Sequence, residues 1–446
     1  MLNYQQCKDL LFESYNQAGA KRHGYDSDTR DLDITRWLFA EAHLPFSFVP
    51  TVTVTGSKGK GSTAILCAAI LQGAQHRVGL LTSPNFLSHR ERIRVNGVSI
   101  SEEDFVRIIN HLAPTIRRII SDLALGKYIS PTGLFLAIAV QYFLEEEITA
   151  LVLEVGRGGR FDEVSLIENG VACFTPIMAE HLDKIGPEIE NVAWHKAGII
   201  KADSTVVCGR QPDIVKEILH DEITKQGATI YYVDETIHHL SGYHWDKQDV
   251  QVTLDFMQTE KVFRLHTPAS YQAQNIALAY AAAAALDPSA AYIEPHIIQR
   301  TRLPGRCDMI RRNPTVFVDG AINRQSAHAF LHSVLPLLSY PAVLITALPH
   351  DKEHEGVLDE LMPHMDMTIV TQVSAKHLIF NHTVLDYARS RADAVMDEPD
   401  VQRAFHAGLD YVQERGTLWV VGTQSLVRDA IRFWDIGMDW LIVPTS

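Results

Sequence analysis

Apolar and polar positions along the 446-residue chain fall into two alternating rhythms. FVPTVTVTG is a short β-branched run, and STAILCAAILQGAQ behind it carries an apolar face at helical spacing. RVGLLTS reads as the next strand. SEEDFVRIINHLAPTIRRIISDLAL reads as a long amphipathic helix opened by a capping serine, Ser101. A helix through GLFLAIAVQYFLEEE and a buried strand, ITALVLEVG, continue the alternation. Strands separated by helices in this way predict an α/β fold with a mostly parallel sheet covered on both faces.

The rhythm breaks at 228–267, where ATIYYVDET, DVQVTLDFM and KVFRLHT predict short, mostly antiparallel strands. YQAQNIALAYAAAAALD then predicts a helix with enough alanine to pack closely on a neighbour. TRLPGRCDMI holds a Pro-Gly break that suits a linker, and the α/β rhythm restarts at NPTVFVDGA, with PAVLITALP, MTIVTQVS and GTLWVVGTQS as further strands. The expected division is a first domain at 1–300 and a second at 301–446, with residues 300–304 as hinge.

A hydrophobic fraction of 46% and a charged fraction of 21% fit a globular protein. The formal net charge of −14 argues against nucleic acid or an anionic membrane as the main partner. Five scattered cysteines without CxxC spacing make a disulfide framework or zinc-thiolate site a poor reading. No leader organisation and no apolar run of membrane-spanning length stand in the sequence, so a cytoplasmic protein is expected, by default a monomer.

The candidate chemistry begins at VTGSKGKGST, residues 54–63. A glycine-rich turn between strand and helix offers backbone N–H groups and the positive end of the helix to an anion. Lys60 would add a mobile charge, and Ser62 or Thr63 an oxygen for magnesium. The standard Walker spacing is absent, because Gly56 and Gly59 are too close and Gly61 follows Lys60. The competing reading is a flexible basic loop.

Gly56-Ser57-Lys58-Gly59-Lys60-Gly61-Ser62 resembles the Gly-Thr-Asn-Gly-Lys-Gly-Ser loop of the Mur ligase superfamily, in its folylpolyglutamate synthase and dihydrofolate synthase branch. Further motifs match in order. LLTSPNFLSHRERIRVNGVSIS (80–101), LEVGRGGRFD (153–162), AEHLDKIG with WHKAGIIK (179–201), YQAQNIALA, LPGRCDMI, VDGAIN and HDKE are similar to that branch's motifs, so the resemblance spans about residues 30–430.

The resemblance implies a P-loop-type, mostly parallel sheet that binds ATP, followed by a smaller Rossmann-like α/β domain. It also implies an ATP-dependent, ADP-forming ligase, in which a carboxylate becomes an acyl phosphate and an amino group then attacks it. The substrates would be a small carboxylic acid and an amino acid, most simply a folate or dihydropteroate and L-glutamate. Gly56, Gly59, Lys60, Gly61, Ser62, Thr63, Asn275, Arg306 and Asp319 would contact ATP. Ser83 and Glu154 would serve one magnesium and His181 a second. Lys60, His181, Lys196 and Arg306 would act in catalysis. In the superfamily the lysine matching Lys196 is commonly carbamylated, which turns a cation into an anion.

Plainer readings stand beside these. Glu154, at the end of an apolar strand, could pair with Arg157 or Arg160, and Lys196 with Glu180 or Asp183. Arg306 could be an interdomain salt bridge, Asp319 a helix cap, and His181 a structural histidine. The chain also departs from the branch's pattern: Ile322 and Asn85 stand where it has histidines, Glu180 where it has Asp, His195 where it has Glu, and Thr132-Gly133 where it has Phe-Glu. These changes leave two further readings open, the same chemistry on a non-folate acid or another amine, and a catalytically silent ATP-binding partner.

Overall fold

The computed structural model describes the chain except residues 20–23, 234–249, 257–258, 376–377, 381 and 443–446. Strands β1 (Thr51–Thr55), β2 (Val78–Leu81), β3 (Ile93–Val95), β4 (Val98–Ser99), β5 (Ala150–Glu154), β6 (Val171–Phe174), β7 (Thr205–Cys208) and β8 (Thr229–Tyr232) form one sheet. Its order is β4-β3-β2-β5-β1-β6-β7-β8. All neighbours from β2 to β8 run parallel, while β3 and β4 add an antiparallel edge.

The valine–threonine alternation of β1 sorts its side chains between the two faces. Val52 and Val54 join a core with the helices Lys60–Gly73 and Gln272–Leu286. The other face packs on Tyr4–Gln17, Glu102–Asp122, Pro131–Glu145, Ile189–Ala197 and Asp213–Gln226. Ser101 caps its helix as expected, accepting from the Asp104 N–H at 2.9 Å. The alanine-rich helix Gln272–Leu286 lies along Lys60–Gly73, where small side chains let the two backbones approach.

The segment at 228–267 resolves into two parts. β8 is not antiparallel as expected but extends the main sheet parallel to β7. The strands β9 (Val250–Phe256) and β10 (Thr259–Leu265) do form an antiparallel hairpin, and the remainder of the expected runs, at 234–236, 249 and 257, lies outside the described residues.

A second sheet contains β11 (Asp308–Arg311), β12 (Thr315–Asp319), β13 (Ala342–Ala347), β14 (Met367–Val370), β15 (Val395–Asp397) and β16 (Thr417–Gly422), in the order β11-β12-β16-β13-β14-β15. Only its β11 edge is antiparallel. The chain then returns to the first sheet: Trp440 bridges Val98, and Ile442 bridges Thr301. All five cysteines are free and buried, and no helix among the described residues is long and apolar enough to cross a membrane.

Candidate active site

β1 sits between β5 and β6, so the turn leaving it opens at the point where successive crossovers part to either side of the sheet, the usual place for a ligand crevice in such folds. Gly56 has φ +138°, and a Cβ there would overlap the Thr175 hydroxyl at the end of β6. Gly59 has φ +88° and N-caps the helix Lys60–Gly73, with the Asn275 amide where a side chain would stand. These two positions require glycine for both dihedral and space. Ser57 fastens the loop to the strand beside it: its N–H donates to the Pro176 carbonyl at 2.8 Å, and its Oγ accepts from the Met178 N–H at 2.9 Å.

Lys60 opens the helix and folds back on its own loop, Nζ donating to the Gly56 carbonyl at 2.8 Å. Ser62 lines the crevice between the two sheets. Thr63 does not: it is fully buried and its hydroxyl donates to Asn275 Oδ1 at 3.3 Å. Asn275 itself is buried and donates to Gln272 Oε1 at 2.7 Å. Thr63 and Asn275, expected at the nucleotide, brace the loop from below. The competing reading of this stretch as a flexible loop does not fit such anchoring.

Across the loop, β5 ends at Glu154. Its carboxylate accepts from the Ser83 N–H at 2.8 Å and stands close to Gly61. The pairings proposed for it do not form, because Arg157 pairs with Asp26 at 2.5 Å and Arg160 with Glu222 at 2.6 Å. Burial pushes the Glu154 carboxyl pKa up, against the pull of Lys60, the Ser83 N–H, Arg306 and Arg92. Gly61, Ser62, Ser83, Glu154 and Arg306 line one crevice.

Glu180 and Lys196 make the plainer pairing, with Nζ–Oε1 at 2.9 Å, and Lys196 Nζ also donates to the Gly56 carbonyl at 2.7 Å. The extra methylene of Glu180 lets it reach a lysine that is fully buried. Burial and the charge of Lys60 bring the Lys196 ammonium down to about 8 although Glu180 opposes them. Burial would raise the Glu180 carboxyl, yet Lys196 and Lys60 outweigh it and hold it below its usual range. His181, exposed beside this pair, has φ +52° and begins the short helix Leu182–Ile185. Among the described residues no three His, Cys, Asp or Glu side chains converge as a ready metal cluster.

Arg306 approaches from the second sheet. Nη1 donates to the Gly305 carbonyl at 3.0 Å, and the Gln424 amide, turned oxygen-inward, accepts from Nη1 at 2.8 Å and Nη2 at 3.1 Å. It forms no salt bridge among the described residues, and Gln424 was not a sequence candidate; its only signal is its place just past the strand GTLWVVG. Asp319 ends β12 and accepts from the Cys307 N–H at 2.7 Å; burial lifts its pKa to about 6 despite Arg306. It does not cap a helix, since Asn323 caps Arg324–Val334. Lys58 is exposed and faces the charges of Glu180, Arg306, Lys60 and Asp319.

The RERIRV run divides its work by residue. Glu91 accepts from the N–H groups of Phe86, Leu87 and Ser88 at 2.8, 2.8 and 2.6 Å, shaping the loop that carries Ser83. Arg94 is buried and donates to the carbonyls of Met438 (2.7 Å) and Asp439 (3.1 Å), tying the returning strap to the first sheet. Arg92 lies 4.5 Å over the Phe135 ring.

A glycine-rich loop at the centre of a parallel sheet, a buried carboxylate beside it and an arginine reaching in from a second α/β sheet together form an anion-binding crevice. Residues 121–283 match the Mur ligase middle domain. The dihydrofolate synthase/folylpolyglutamate synthase of Bacillus subtilis (strain 168) is 28% identical over 368 residues, covering 79% of this chain and 83% of the relative. That of Escherichia coli (strain K12) is 29% identical over 348 residues, covering 76% and 77%. The structure of Mycobacterium tuberculosis folylpolyglutamate synthase complexed with ADP and AMPPCP has a TM-score of 0.82 at 24% identity, covering 97% of this chain and 99% of that one. Residues 121–283 thus match the middle domain of the Mur ligases, and over most of its length the chain is similar to dihydrofolate synthase/folylpolyglutamate synthases.

Proposed function

We propose that this protein is an ATP-dependent, ADP-forming ligase that activates a carboxylate as an acyl phosphate and joins it to an amino acid. The observation that carries the reading is the buried Glu154 carboxylate, with no salt-bridge partner among the described residues, set between the glycine loop and Arg306. Such a carboxylate is costly unless a cation completes it. L-glutamate and a dihydropteroate or folate, the substrates that the relatives' names carry, are the first pair to test.

The donors fit magnesium. Glu154, Ser83 and Ser62 offer oxygens only, and magnesium keeps several waters and phosphate oxygens, so a protein cluster of three ligands is not required. His181 would serve a second ion. When bound, magnesium would neutralise charge on the transferring phosphoryl group.

The chain's own groups would do the rest. The loop N–H groups and Lys60, released from the Gly56 carbonyl, would hold the phosphates. The Arg306 fork, oriented by Gln424, would close on them from the second sheet. Asp319 would orient the Cys307 backbone or meet the ribose. Lys196 is near enough to neutral to take up CO2 as a carbamate with loss of a proton, which would break its pair with Glu180; mass spectrometry of the native protein at neutral pH tests that state. The division at 1–300 and 301–446 lets the sheets close about 300–304, with the strap Gly437–Ile442 as a second crossing. We take the protein as a cytoplasmic monomer.

A second reading, the same chemistry on a non-folate acid, is favoured by one contact. At Gly133 the buried Thr35 hydroxyl occupies the place of a Cβ, so a larger side chain at this position of the branch's motif has no room here. ADP release with magnesium, L-glutamate and dihydropteroate is expected under the first reading. Turnover only with another acid or amine would replace it by the second, and tight ATP binding without turnover on a broad panel would reduce the protein to a silent partner.

A further inference from the structure

Arg92 has a place in the fold that the phosphate chemistry does not use. The register of β2 with β5 and with β3 puts Thr82 level with Glu154 on one side and Arg92 on the other, and the Thr82 N–H donates to the Arg92 carbonyl at 2.9 Å. Arg92 therefore stands in the same row as Glu154, two strands away with Thr82 between them, at the end of the sheet where the glycine loop opens.

Its side chain is held from two directions. Nε donates to Asn85 Oδ1 at 3.1 Å, and the guanidinium carbon lies 4.5 Å from the centre of the Phe135 ring. Asn85 Oδ1 also meets His89 Nδ1 at 3.1 Å, and the His89 ring packs on Phe12 and Phe135. An amide oxygen accepts both donors at once, so Asn85 holds the arginine's inner edge. The outer edge, Nη1 and Nη2, makes no hydrogen bond and no close ion pair among the described residues, although the side chain is half-buried and feels the charge of Glu154 across β2. Arg157 and Arg160, by contrast, are paired, with Asp26 and Glu222. A guanidinium whose paired N–H groups are free matches a carboxylate in a two-bond fork.

We propose that Arg92, aimed by Asn85 and seated on Phe135, holds the carboxylate of the acid substrate beside the Glu154 end of the phosphate loop. The proposal rests on the ligase reading and names the residue that receives the acid. Asn85 is then a positioning residue, and Lys is a poor substitute for Arg92 because it cannot form the fork.

The test uses the full chain saturated with AMPPCP and magnesium, and 4-aminobenzoate as the probe, followed by ligand-observed NMR. Arg92→Gln is expected to weaken 4-aminobenzoate at least about tenfold, the scale of one lost charge-assisted hydrogen bond. Arg92→Lys is expected to recover only part of the loss, Asn85→Ala to show a smaller loss, and AMPPCP binding to stay unchanged in all three. Failure of the wild type to bind the probe, or equal binding by Arg92→Gln, overturns the proposal without touching the ligase reading. In turnover with whichever acid releases ADP, the KM for the acid should rise and that for ATP should not; a rise confined to the amino acid also overturns it. Absence of ADP release with every acid would count against the ligase reading, while the binding titration would still decide the role of Arg92.

Discussion

At the residue scale, the loop is built on positions that tolerate no side chain and on groups whose charge is held against burial. Gly56→Ala would place a methyl on the Thr175 hydroxyl at a φ of +138°, so a loss of about 2–4 kcal/mol is expected, read as a lower midpoint in urea denaturation. Asp319 gives a pH-dependent case. Its folded pKa of about 6 lies above the unfolded value, so the folded state carries no penalty when both forms are protonated. The penalty grows from about pH 4 and is complete above about pH 6, reaching roughly 3 kcal/mol. Asp319→Asn should therefore gain stability relative to wild type at pH 7.5 and show little gain at pH 4, as measured by paired denaturation curves. Lys58, the unusual second cation of the loop, is solvent-exposed over the cleft, while its neighbour Ser57 ties the loop to the residues after β6.

At the element scale, the strap Gly437–Ile442 matters more than its sequence suggests. Arg94 donates to the carbonyls of Met438, Gly97 and Glu91 inside the protein and to that of the exposed Asp439. Replacing it by alanine would take the guanidinium away from the Met438 and Glu91 carbonyls and leave a cavity behind, while the Asp439 and Gly97 carbonyls keep the Ser99 and Leu441 N–H groups, at a cost of about 3–5 kcal/mol. Hydrogen exchange at 437–442 should accelerate in Arg94→Ala well before exchange in β1 or β5 does. The residues needed for this lock, RERIRV and GMDWLI, are about 340 positions apart in the chain, and no periodicity links them. The same holds for β8: its apolar run is legible as a strand, but only its partner β7 makes it a parallel one. The expected antiparallel hairpin at β9 and β10 needed no distant partner and is present.

At the scale of the whole molecule, two sheets face each other across a crevice lined by Ser62, Ser83 and Glu154 on one side and Arg306 and Gln424 on the other. A ligand that bridges them should stabilise the folded chain by mass action, about 2.7 kcal/mol at a hundredfold excess over Kd. AMPPCP with magnesium is accordingly expected to raise Tm by several degrees. Lys60→Ala should abolish most of that rise while leaving the unliganded Tm close to wild type, because among the described residues Lys60 hydrogen-bonds only to its own loop. An undiminished rise in Lys60→Ala would remove the lysine from the phosphate site.

The sequence by itself determined the local elements and the chemistry they could carry. β-branched runs and helical spacing marked the strands and helices, and the glycines of 56–61 marked a turn between a strand and a helix. Local physics suffices there, because dihedral preference and side-chain period act within a few residues. What the side chains meet was decided by the tertiary structure. Only the β1–β5–β6 arrangement leaves Glu154 without the arginines beside it in sequence, turns Thr63 and Asn275 into each other's partners, and gives Lys196 to Glu180. Only the returning strap explains a buried Arg94, and only the row across β5, β2 and β3 brings Arg92 level with Glu154. Pairing and burial depend on which distant segments pack together, and that information is spread over the whole chain rather than written at any one position.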